Sequence, residues 1–295
     1  MKPSMARKNS AAKVVTGIPT ISAPLIGGFH KFLPPFLKGK FHSVAVNREA
    51  LSDSDLQSSD AVVVYANHAS WWDPMTALFM ANRVFGDFSV YAPIDADALE
   101  KYKIFKKMGF YPVQRDSVRG AAEFLKTSRR ILAQPSASVW MTPEGRFVDP
   151  REKDVPFMPG LGHLASRIAQ STSEAAPRVW FIGLAIEYVF WEESKPELLA
   201  WFAPPILASP GEVEGDDPKQ AWDDRLRHSL RTAQADLQTA SIGRDSEAFE
   251  ILLGGSTGSF VVYDLWRKAS GLVTGRKVDL SHSDKLSQDS DRNDL

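Results

Sequence analysis

The feature that most constrains this chain is the apolar run Ala61-Val62-Val63-Val64-Tyr65, which leads directly into Asn67-His68 and then Asp73-Pro74. Three consecutive valines leave no polar face, so a strand here must be buried on both sides. That happens where helices cover both faces of a parallel sheet. Pro74 suits the first position of a helix over 74–83, with Asp73 as its N-cap. Further strands are predicted over 41–46, 88–92, 111–113, 137–141 and 179–186, and further helices over 99–108, 117–133, 160–170 and 220–240. This alternation predicts an α/β fold with a mostly parallel central sheet flanked by helices. A polar loop is expected over 209–219.

Composition removes several alternatives. Of 295 residues, 43% are hydrophobic and 24% charged, which suits a globular chain and excludes wholesale disorder. The chain has no cysteine, so disulfide frameworks, Cys-ligated zinc, iron–sulfur clusters and thiol nucleophiles are out. The six histidines show no metal-ligand spacing, and no metal is expected. No apolar run approaches the ~20 residues of a membrane-spanning helix.

The net charge of −1 hides an asymmetry. Residues 1–48 hold eight Lys or Arg and no acid, so the remaining 247 residues carry 27 basic and 36 acidic groups, a balance of −9. Basic residues interleaved with Ile, Leu and Phe fit an anionic membrane surface, to which charge attracts and into which apolar side chains insert. A solvated basic arm is the plainer alternative. A secretory signal fits poorly, because Pro19, Pro24, Gly27 and Gly28 break the apolar part. Nucleic acid is not expected as a partner, since no recognition motif accompanies the near-zero net charge. The chain divides into a membrane-associating leader with short surface helices (1–37), an α/β body (38–208), a helical extension (209–278) and a disordered acidic tail (279–295).

Asn67-His68-Ala69-Ser70-Trp71-Trp72-Asp73 lies where a strand ends and a helix begins, the place where α/β sheets gather ligands. A histidine there can act as general base, and a turn can fold Asp73 back to orient the ring and stabilise imidazolium. The same residues have a structural reading, with His68 packed in a turn and Asp73 capping the helix. Two further segments follow strands in the same way: Thr142-Pro143-Glu144-Gly145-Arg146, and Gly109-Phe110-Tyr111-Pro112-Val113-Gln114-Arg115.

Together the three segments resemble the glycerolipid acyltransferases of the lysophosphatidic-acid acyltransferase (PlsC-like) family over roughly residues 40–200. The first matches the N-H-x-S-x-x-D motif at every defined position. Gly109, Phe110 and Arg115 match the second motif, and Pro143-Glu144-Gly145 the start of the third, P-E-G-T-R. The resemblance implies a 1-acylglycerol-3-phosphate O-acyltransferase-like enzyme of phospholipid biosynthesis. His68 would be the general base and Asp73 its orienting partner. The substrate site would draw on Asn67, Ser70, Gly109, Phe110, Arg115, Glu144, Gly145 and Arg146, with both arginines contacting an acceptor phosphate. The acyl donor would be an acyl-CoA or acyl carrier protein, with no other cofactor, and the protein would sit peripherally on the cytoplasmic face of a membrane.

Two positions depart from the family pattern. Arg146 comes one residue early, before Phe147, and Gly183 stands where the fourth motif has proline. A lipid-binding relative without transferase activity is therefore the alternative reading. Gly254-Gly255-Ser256-Thr257-Gly258 also spells the G-x-S-x-G of a hydrolase elbow, but only His282 follows it. A turn between a helix ending near Leu253 and another starting near Phe260 is the expectation there.

Overall fold

The computed structural model describes residues 17–115, 117–171 and 176–254. The described residues begin with α1 (Ala23–Lys40), β1 (Ser43–Asn47), the single turn α2 (Glu49–Ser52), β2 (Ala61–Ala66) and α3 (Asp73–Val84). They continue through β3 (Ser89–Asp95), α4 (Ala96–Lys101), a 3-10 segment (Lys103–Met108), β4 (Phe110–Val113), α5 (Val118–Leu132), β5 (Ala137–Met141) and α6 (Gly160–Ala169). Then come β6 (Val179–Val189), β7 (Glu197–Phe202), β8 (Ile206–Leu207), α7 (Pro218–Gly243), a 3-10 turn (Ser246–Ala248) and β9 (Glu250–Gly254).

The sheet order is β4-β3-β5-β2-β6-β7-β1-β9, with β8 paired to β6. β4, β3, β5, β2 and β6 run parallel, as the valine run predicts. All six residues of β2 are buried. Val62, Val64 and Ala66 face a core shared with α1 and α3, while Val63 and Tyr65 face one shared with α5, α6 and α7. Each valine fully removed from water contributes about 1.5–3 kcal/mol, so both faces stabilise the central strand.

Several elements differ from their sequence expectation. The predicted helix over 99–108 is divided between α4 and the 3-10 segment, which closes at Gly109 with φ 89°. β7, unpredicted, is the apolar run ELLAWF, antiparallel to β6 and parallel to β1. The helix expected to end near Leu253 is instead β9, antiparallel to β1. A short apolar run does not separate strand from helix by periodicity, and the open edge of β1 decides.

The leader and extension are also less separate than their sequence boundaries suggest. α1 is one 18-residue helix that runs past residue 37 and contains Pro34 and Pro35. Each proline removes a donor from the helix. Burial of Leu33 and Leu37 in the sheet core holds the helix together across that gap. α7 buries Trp222, Leu226 and Leu230 against the other sheet face, so the body extends well beyond residue 208. Lys2, Arg7, Lys8 and Lys13, Asp116, most of the G-x-S-x-G segment and the acidic tail lie outside the described residues.

α1 joins β1 through a buried ion pair. His42 Nδ1 lies 2.6 Å from Glu197 Oε1 on β7, and both side chains are buried. The Glu197 hydrogen bond holds His42 above its ordinary value of 6.5, against desolvation, with Glu193 reinforcing and Lys195 opposing. The folded state thus holds the His42 proton more tightly than the unfolded chain. This stabilisation is fully present below the unfolded pKa and is lost as pH rises through the folded one. The thermal midpoint is expected to fall as pH is raised above 6.5. Glu197→Gln should flatten that slope, and an unchanged slope in the variant would exclude His42 as its source.

Candidate active site

The parallel strands set the three sequence segments at one end of the sheet. His68 follows β2, Arg115 follows β4 and Glu144 follows β5, all at carboxyl ends. Asn67 continues the β2–β6 ladder with its side chain. Its Nδ2 donates to the Ile186 carbonyl at 3.0 Å and its Oδ1 accepts the Ile186 N–H at 2.8 Å. That lock places the next residue, His68, beyond the sheet edge.

His68 Nδ1 is 2.7 Å from Asp73 Oδ2, which also accepts the Ser70 N–H at 3.0 Å. Asp73 is buried and opens α3, yet no helix N–H is capped by a side chain there. The carboxylate turns back to the loop, contrary to its expected role as N-cap. Tyr188 on β6 donates its hydroxyl to Asp73 Oδ1 at 2.8 Å and also meets Thr76 Oγ1 at 2.9 Å. Burial, then the adjacent Asp73 charge, push the Tyr188 phenol well above its ordinary range, so it stays a donor. A carboxylate only accepts, so Nδ1 carries the proton and the other ring nitrogen is left as the basic one.

The 144–148 segment grips His68 from the other side. Glu144 Oε2 accepts the His68 N–H at 2.9 Å, and the Val148 N–H donates to the His68 carbonyl at 2.8 Å. Glu144 is buried and needs a cation. Arg231 on α7 supplies one, with Nη1 2.9 Å from Glu144 Oε1 and 2.6 Å from Gln234 Oε1, and Nη2 2.8 Å from the Val155 carbonyl. Gly145 permits the turn at φ 66°, where a Cβ would also lie 2.3 Å from Met158 Sδ.

Of the ten residues singled out from sequence, Asn67, His68, Ser70, Asp73, Glu144 and Gly145 gather here. Arg115 reaches the cluster through the Gly145 carbonyl at 3.2 Å and also lies 3.5 Å from Asp95. Arg146 pairs with Glu152 at 3.7 Å, and the neighbouring Asp149 pairs with Arg151. Gly109 and Phe110 build the start of β4. A Cβ on Gly109 would meet the Val90 carbonyl oxygen at 2.2 Å, and the Phe110 ring packs 5.1 Å from that of Phe105.

Tyr188, Arg231 and Phe147 were not anticipated. Tyr188 had a signal: it continues the alternation of Ile182, Leu184 and Ile186 that faces α3. Gly183 also has a structural reason. A Cβ there would sit 3.5 Å from Leu230 Cα and 3.2 Å from Ala203 Cβ, so small size lets α7 approach β6. A separate cavity lined by Asn47, Leu56, Phe88 and Phe249 lies by the carboxyl end of β1, the opposite end of the sheet from His68.

Fold and site define the class first: an α/β protein with a histidine–aspartate pair at the carboxyl end of a parallel sheet. Residues 47–179 match the model of the Acyltransferase family, a stretch that contains all three segments. The match supports acyl transfer to a lipid acceptor as the general chemistry. No curated protein matches the chain.

Proposed function

We propose that the protein transfers a fatty acyl group from the thioester of an acyl-CoA or acyl carrier protein to a hydroxyl of a lyso-glycerolipid or similar lipid acceptor. The observation that carries this is the 2.7 Å contact between His68 Nδ1 and a buried, triply hydrogen-bonded Asp73. With Nδ1 committed, Nε2 accepts the proton of the acceptor hydroxyl as its oxygen attacks the thioester carbonyl. The tetrahedral intermediate collapses by breaking the C–S bond, and the leaving thiolate takes the proton from imidazolium. An ester and a free thiol result. Asp73 holds the tautomer and offsets the imidazolium charge.

The test is transfer from a radiolabelled acyl thioester to lyso-lipids. General-base catalysis is worth about 10²–10⁴ in rate, so His68→Ala should lose that much. Full activity in the variant would refute the assignment. Vesicle binding with no transfer to any acceptor would leave a lipid-binding protein.

The lipid acceptor also implies peripheral attachment to an anionic membrane, on the cytoplasmic face. Among the described residues no helix is long and apolar enough to cross a membrane. α1 carries Lys31, Lys38 and Lys40 with Phe32 half exposed, and the Phe36 ring lies 5.9 Å from that of Trp72 in the His68 loop. Trp71 of that loop is 65% exposed. Each lysine near an anionic surface contributes about 1 kcal/mol, screened by salt. Deleting 1–37 is a poor test, because it removes Leu33 and Leu37 from the core. Reversing Lys31, Lys38 and Lys40 to Glu together with Phe32→Ser should cut co-sedimentation with phosphatidylglycerol vesicles by at least about tenfold at low salt. Equal sedimentation would rule out α1 as the contact.

A further inference from the structure

We infer that the acceptor hydroxyl is borne on an uncharged lipid and that Phe147 sets this preference. The inference rests on the acyl-transfer reading and names its substrate class. The Phe147 ring centroid lies 4.4 Å from that of His68, with the planes at 41°. Its place is held by the framework, because the next residue, Val148, donates its N–H to the His68 carbonyl at 2.8 Å. Phe147 is nevertheless 57% exposed, so its ring is available to whatever approaches the imidazole. An aromatic face carries negative electrostatic potential, which attracts cations and repels anions. A phosphate attached close to the reacting hydroxyl would have to lie against that ring and give up water without a partner there.

The two guanidinium groups that the family resemblance offers as phosphate contacts do not reverse this. Arg115 pairs with Asp95 at 3.5 Å and spends Nη1 on the Gly145 carbonyl at 3.2 Å. Arg146, one residue before Phe147, pairs with Glu152 at 3.7 Å. Both guanidinium groups therefore arrive with a carboxylate, and a phosphate drawn to either would also meet the acid. Met158, which packs against Gly145 and is 43% exposed, adds apolar surface to the same rim. An aromatic wall, apolar neighbours and balanced charge suit a monoacylglycerol-like hydroxyl better than a phosphomonoester.

The experiment compares two acceptors of identical acyl chain, 1-monoacylglycerol and 1-acylglycerol 3-phosphate, in neutral detergent micelles with one acyl thioester. The wild type should show kcat/KM at least about tenfold higher for the neutral acceptor. Phe147→Arg should move that ratio at least about tenfold toward the phosphate acceptor, chiefly through its KM, while Phe147→Leu, which keeps the apolar wall and loses only the ring face, should move it less. A wild type that prefers the phosphate acceptor, or a ratio unmoved by Phe147→Arg, overturns the inference and leaves acyl transfer standing. Transfer to neither acceptor overturns acyl transfer itself, and this inference with it.

Discussion

Asp73→Asn is expected to lower the transfer rate by about 10⁴, the size of the equivalent change in a serine-protease triad, with the thermal midpoint little altered. Asp73 receives three hydrogen bonds: from His68 Nδ1, the Ser70 N–H and the Tyr188 hydroxyl. Asparagine offers one accepting oxygen. If that oxygen keeps His68 and Ser70, its amide faces Tyr188, whose hydroxyl can accept the new donor and still donate to Thr76 Oγ1. The fold therefore survives. The chemistry does not, because a neutral amide cannot offset imidazolium. If the amide turns toward the ring instead, Nδ1 becomes the acceptor and the proton moves to Nε2, which removes the base. Steady-state rates and thermal unfolding on the same preparation separate these effects. A loss below about tenfold would show that Asp73 only shapes the turn.

Arg231→Met is expected to destabilise the protein by about 3–5 kcal/mol, because it leaves the Glu144 carboxylate buried and unpaired. For a chain of this size that is a fall in midpoint of ~10 °C. Glu144 is 1% exposed and Arg231 13%, so little solvent is available to replace the lost partner. The Val155 carbonyl and Gln234 Oε1 would lose their donor in the same change. Adding Glu144→Gln should recover more than half of the loss, since the buried charge then disappears with its partner. A midpoint shift in Arg231→Met of under ~2 °C would show that the carboxylate is satisfied without α7. The residue lies outside the stretch 47–179 that matches the Acyltransferase family, yet it neutralises a carboxylate inside it.

How much of this was legible depends on the distance over which each signal acts. The valine run announced β2 and the parallel sheet, because a strand without a polar face is a local pattern with one packing solution. The His68–Asp73 contact was legible too, since only four residues lie between the pair and a turn is enough to close it. In the third segment the family resemblance offers Arg146 as a phosphate contact, although it stands one residue early. In the fold its guanidinium pairs with Glu152, and the following residue, Phe147, stands over the imidazole. Successive side chains in extended backbone point opposite ways, so a shift of one position exchanges the group that faces the site.

Local sequence thus determined the class of fold, the strand ends that gather the three segments and the histidine–aspartate pair. Tertiary structure alone decided what surrounds that pair. β9 is a strand because the edge of β1 was open to pair with it, not because its five residues exclude a helix. Arg231 reaches Glu144 across 87 residues, and Tyr188 reaches Asp73 across 115. The Arg231 contact leaves no periodic trace in the sequence, and the alternation that puts Tyr188 on the α3 face does not name Asp73 as its partner. Each exists because α7 and β6 pack where the sheet puts them, and because buried polar groups must find partners once water is gone.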